Sequence, residues 1–158
     1  YNLGDTIQFT SCAPYRVIVT GRITHYISAF GEHVIGKEVE TAIQIAMKEY
    51  SFSISEFTVA PQIIPPDGEL PYHEWLIEFE ETPSNLIEIA HCIDRSMQEQ
   101  NIYYKDLIEG HILQPLKISS LSSGSFNEYM KSKGKLGGQN KIPRLSNDRA
   151  IANQILES

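Results

Sequence analysis

No apolar stretch of this chain is long enough to cross a bilayer, and no signal peptide is visible. Cysteine is scarce. Cys12 and Cys92 make neither a disulfide framework nor a metal-ligand pattern, and both are expected to be reduced core residues of a cytoplasmic protein. Positive charge is in short supply: 13 Lys and Arg stand against 20 Asp and Glu, for a formal net charge of -7. That balance argues against nucleic acid and against an anionic membrane surface as partners. The histidines at 25, 33, 73, 91 and 111 have no ligand spacing, so no metal site is expected. The phosphate-loop pattern Gly-x-x-x-x-Gly-Lys-Ser/Thr is also missing. What remains is ordinary: 158 residues, 41% hydrophobic and 21% charged, enough for one domain with a core. The sequence starts at Tyr1 without a methionine and enters a motif at once, which reads as a piece of something longer.

Periodicity gives the order of elements. Thr6–Ser11 and the β-branched Tyr15–Thr20 read as strands, interrupted by Gly21-Arg22. From His25 the pattern is regular. A strand over 25–30 and a turn at Gly31-Glu32 precede a helix over 37–50, with Val39, Ile43, Ala46, Met47 and Tyr50 on one face. A strand follows over 54–63, then the turn signal Pro65-Pro66-Asp67-Gly68. Residues 72–80 alternate, with His73, Trp75, Ile77 and Phe79 on one side. Glu78 and Glu80, with Glu81 after them, read as a solvated face. Thr82-Pro83 signals a helix start with Leu86, Ala90, Ile93 and Met97 inward. A short helix over 103–110 and a strand over 113–119 complete the unit.

Strand, helix, strand, strand, helix, strand predicts an α+β fold. The expected core is a split βαβ, ferredoxin-like unit: a small antiparallel sheet with helices on one face and added C-terminal helices. Two helices cover one face only, so the outer face is expected to be solvated or docked on something else. Ser125-Phe-Asn-Glu128 reads as a capping box, and a last helix is expected after Ser146 or Asn147.

The most unusual stretch is Gly134-Lys-Leu-Gly-Gly-Gln-Asn-Lys141-Ile-Pro-Arg144. Its glycines leave the backbone free, and Pro143 biases Ile142 towards an extended conformation. Lys133, Lys135, Lys141 and Arg144 concentrate positive charge in an acidic protein. Spacing alone would make this a solvated connection; a loop of this kind also suits a transient anion.

Read together, Tyr1-Asn-Leu-Gly-Asp5, Val19-Thr-Gly-Arg22 and the late Gly138-Gln-Asn-Lys141-Ile-Pro-Arg144 resemble the auxin-responsive acyl acid amido synthetase family. Cys92-Ile-Asp-Arg95 and Gln154-Ile-Leu156 are similar to it as well, and the resemblance points to its bacterial members. Plant members carry a Ser-Asp-Lys run where this chain has Phe30-Gly-Glu32-His33, so no lysine role transfers there.

The resemblance implies the carboxyl-terminal part of an adenylate-forming ligase. Such enzymes use ATP and Mg²⁺ to convert a carboxylic acid to an acyl-adenylate, which an amino acid or other amine then intercepts. It implies Lys141 as the catalytic cation, Asp5 on the ribose hydroxyls, and Arg22 and Tyr1 beside the nucleotide. Gly21 and Thr24 would belong to a hinge, and Gly138 and Arg144 would support the lysine loop. Residues 1–24 would end the nucleotide-binding region and 25–158 would form a lid. The upstream domain of the same polypeptide would be the partner, and this piece alone would be inactive. A free-standing ferredoxin-like ligand-binding or protein-interaction module, without catalysis, is the alternative.

Overall fold

The computed structural model describes residues 5–22, 26–66, 68–134 and 141–157. Strands β1 (Asp5–Cys12) and β2 (Tyr15–Arg22) form an antiparallel hairpin. Short strands β3 (Tyr26–Ile27) and β4 (Val34–Ile35) pair next, and helix α1 (Gly36–Tyr50) follows. The main sheet is β5 (Ile54–Gln62), β6 (Tyr72–Phe79) and β7 (Lys117–Leu121), in that order. Helices α2 (Leu86–Gln100) and α3 (Ile102–Glu109) join β6 to β7. Helices α4 (Ser125–Ser132) and α5 (Ala150–Leu156) end the described chain.

The α+β class holds, with one rearrangement inside it. In a split unit the first strand would lie between the two strands that here are β6 and β7. Here that strand shrinks to Tyr26–Ile27, because Gly31 (φ 92°) and His33 (φ 48°) turn the chain back onto Val34 and Ile35. Strands β6 and β7 therefore meet directly and run parallel, while β5 and β6 are antiparallel.

One face of the sheet carries the main core. Phe57, Val59, Trp75, Ile77 and Phe79 pack against Val39, Ala42, Ile43 and Ala46 of α1 and Ile89, Ile93 and Met97 of α2. Trp75 is fully buried and stacks on Phe57, ring centroids 5.7 Å apart and 6° from parallel. The outer face, expected to be solvated or docked on something else, is covered by the C-terminal helices of the chain itself. Ala60, Leu76 and Leu121 are covered by Phe126 of α4, Ile142, and Ala152 and Ile155 of α5. The added helices close a second layer and bury apolar strand positions that would otherwise face water. Cys92 is buried as expected, but Cys12 is exposed near the tip of the hairpin.

Candidate functional site

The residues after the glycine loop are fastened to the edge of β5. Ile142 is buried in the outer core. The Pro143 carbonyl accepts a hydrogen bond from Thr58 Oγ1 at 2.7 Å. Val59 donates its N–H to the Arg144 carbonyl at 3.0 Å and accepts from the Ser146 N–H at 2.9 Å, a short parallel bridge onto β5 centred on Leu145. The Arg144 guanidinium lies 4.6 Å from the Phe57 ring centre, donates to the Phe57 carbonyl at 3.1 Å and pairs with Glu56 and Glu40. This is the planar, multidentate use for which lysine is a poor substitute. Lys141 stands one residue before this foot. It is exposed on the rim of a cleft of about 200 Å3, with Glu56, Glu78, Asn127, Met130 and Ile142 in its lining.

The start of helix α4, which precedes the glycine stretch in the chain, is held from β6. Helix α4 does not start with the expected Ser125 capping box; its N-cap is Gly124 (φ 90°), and the Ser125 hydroxyl donates back to the Ser122 carbonyl. Glu78 supplies the missing acceptors. Its Oε1 accepts from the Gly124 N–H at 2.9 Å and its Oε2 from the Phe126 N–H at 3.2 Å. A carboxylate at a helix N-terminus satisfies orphan donors and complements the helix dipole. Glu74 on the same strand accepts from Ser119 Oγ and from Arg149 Nη2, the latter at 2.6 Å beside the start of α5. Glu78 is therefore not the solvated residue its alternation implied; it and Glu74 are buried anchors, while Glu80 and Glu81 are exposed. The signal was available only as unpaired acids facing a layer whose presence the pattern did not reveal.

The remaining candidates lie on the hairpin. The β1–β2 register sets Asp5 directly opposite Arg22 and Thr6 opposite Gly21, at the open end where both strands stop. Two residues separated by the whole hairpin thus share one edge. Tyr1, Thr24 and Gly138 fall outside the described residues. Among the described residues, no group of three His, Cys, Asp or Glu side chains could hold a metal ion.

A family model described as the GH3 family C-terminal domain matches residues 37–150, most of the chain. The chain belongs to this family. Two solved structures are similar to this GH3 domain. One is a GH3.15 acyl acid amido synthetase, with a TM-score of 0.74 at 16% identity over 98% of this chain and 30% of that one. The other is an AtGH3.15 acyl acid amido synthetase in complex with 2,4-DB, with a TM-score of 0.72 at 16% identity over 98% and 29%. At that identity the likeness establishes the fold. This chain spans about 30% of the length of those proteins. No curated protein matches the sequence.

A buried polar network then explains how the GH3 domain holds the segment that follows β3. Glu32, read from sequence as a turn residue, is fully buried and pairs with buried His73, Oε1 to Nε2 at 2.8 Å. Its Oε2 accepts from the Phe30 N–H at 2.8 Å, and its backbone carbonyl accepts from Asn101 Nδ2 at 3.0 Å. Burial alone would raise the Glu32 pKa; the His73 hydrogen bond and charge, with the backbone donors, outweigh it and hold the carboxyl below its usual value. His73 stacks on Tyr104, whose hydroxyl donates to Asp94 Oδ1 at 2.6 Å. Burial, then the Asp94 charge, push the Tyr104 hydroxyl well above its usual pKa, so it serves as a fixed donor. Tyr104→Phe leaves Asp94 one donor short and is expected to cost about 1.5–3 kcal/mol, read by urea unfolding.

Proposed function

We propose that this GH3 domain is the carboxyl-terminal part of an ATP-dependent ligase that activates a carboxylic acid as its acyl-adenylate and transfers the acyl group to an amino acid or other amine. The substrate carboxylate attacks the α-phosphorus of ATP and pyrophosphate leaves. The amine nitrogen then attacks the acyl carbon and AMP leaves, giving the amide. Negative charge on the phosphoryl oxygens in the first step calls for a preorganised cation.

Lys141 is that cation in this reading. The observation that carries it is local: a lysine at the end of a glycine-rich stretch of sequence, exposed, one residue before a segment fastened to β5. Asp5 would accept hydrogen bonds from both ribose hydroxyls, as an ionised carboxylate with acceptors only can. Arg22, opposite it in register, would reach the ribose or a phosphate with its fork. Tyr1 would lie beside the nucleotide, Gly21 to Thr24 would form the hinge, and Gly138 would give the loop its freedom. From Tyr26 onward the Glu32 network would carry the domain as one piece. The Mg²⁺ that accompanies ATP would be held mainly by the upstream part of the polypeptide.

That upstream part is also the partner proposed for the hairpin. Phe9, Tyr15 and Val19 are 57%, 78% and 67% exposed, and apolar exposure on this scale suits a surface covered in a larger protein. Carboxylate-dependent ATP–pyrophosphate exchange by the full-length protein tests the reading, with the isolated domain expected to be inactive. Asp5→Asn is expected to raise the KM for ATP about tenfold or more, the loss of a hydrogen bond to a charged acceptor. A ligand that shifts the melting of the isolated domain, with no exchange by the longer protein, would favour the binding-module alternative.

A further inference from the structure

We infer that Glu78 is a positioning residue for Lys141, acting through helix α4; the inference rests on the proposed role of Lys141. Lys141 stands on the rim of a cleft that α4 walls on one side, so its surroundings depend on where α4 is held. Glu78 fixes the start of that helix. It is 5% exposed, sits on the central strand β6, and spends both oxygens on the Gly124 and Phe126 N–H groups of a helix with no side-chain cap of its own. Glu56 takes part in holding the segment after Lys141, as the ion-pair partner of Arg144. Glu56 and Glu78 are direct cross-strand partners in the β5–β6 register.

Two like charges facing each other across a sheet are destabilising unless each is consumed by a partner. Here Glu78 is consumed by the start of α4, and Glu56 by Arg144, in the segment that follows Lys141. Phe126, Asn127 and Met130 of α4 line the cleft from which Lys141 and Ile142 emerge, so a shift of α4 changes the wall against which Lys141 stands. Glu78 touches no substrate in this scheme. It sets where α4 stands relative to Lys141 across the cleft, and a displacement of about 1 Å at a reacting centre can cost up to about a hundredfold in rate.

The test is a double-mutant cycle on pyrophosphate exchange in the full-length protein, with Glu78→Gln, Lys141→Ala and the pair. Glu78→Gln keeps the shape and loses one acceptor and the charge. It is expected to lower kcat between about tenfold and a hundredfold with the KM for ATP little changed. The double variant is expected to be no slower than Lys141→Ala alone. Glu78→Asp, which keeps the charge, is expected to recover part of the rate, and it carries the test if Glu78→Gln does not fold. A Glu78 effect that persists undiminished without Lys141, or wild-type kcat in both Glu78 variants, overturns the inference. Full exchange in Lys141→Ala would instead overturn the role of Lys141 on which the inference rests, and no exchange by the unaltered full-length protein would overturn the enzyme reading itself.

Discussion

Lys141→Ala in the full-length protein is expected to slow carboxylate-dependent ATP–pyrophosphate exchange by about 10²–10³-fold, the loss of roughly 2.7–4 kcal/mol typical of one preorganised electrostatic group. The effect should fall on kcat, because the ammonium meets the α-phosphate only as charge develops there. The fold should survive. Lys141 is exposed, and the segment behind it is held by Thr58, Val59 and Glu56 through other residues. An unchanged melting temperature beside the lost exchange would separate chemistry from stability. Lys141→Arg is expected to restore little, since a wide planar fork does not occupy the place of a compact ammonium.

Glu32→Ala is expected to destabilise the domain by about 3–5 kcal/mol, because it strands buried His73 and leaves the Phe30 N–H without its acceptor. Against a typical total of about 5–15 kcal/mol this is a large fraction. The pH dependence gives an independent check. Glu32 has a lower pKa folded than unfolded, so the native state binds fewer protons, and stability rises with pH through that window. The contribution is complete above the ordinary carboxylate value of about 4.5 and is lost as pH falls through the depressed folded value. Urea unfolding below pH 4.5 should therefore show wild type losing stability faster than Glu32→Gln.

Much of the scaffold was legible because its signals are local. Helix α1 and strands β5 and β6 follow directly from apolar spacing, and their bounds lie within a residue or so of expectation. Helix α2 begins at Leu86 rather than at Thr82-Pro83, since the capping signal there opens a connection instead. Pairings across the fold were not legible. Glu32 meets His73 at a separation of 41 residues and Glu78 meets Phe126 at 48, and no periodicity links such positions. The same holds for the outer layer: the stripe of α5 is too short to say which surface it covers, so the glutamates beneath it read as solvated. The candidate site divides in the same way. The lysine loop was legible as a motif, whereas the opposition of Asp5 and Arg22 needed the hairpin register with its two irregularities.

The central claim is that a cation on a loop footed on β5 reaches the phosphorus centre while the hairpin end faces the sugar. A crystal structure of the full-length protein with a non-hydrolysable acyl-AMP mimic measures this directly. The expected result is Lys141 Nζ at about 3 Å from an α-phosphate oxygen, within hydrogen-bond range, with Asp5 on the ribose hydroxyls. A closed complex in which Lys141 points to solvent and Asp5 and Arg22 lie away from the nucleotide would contradict it.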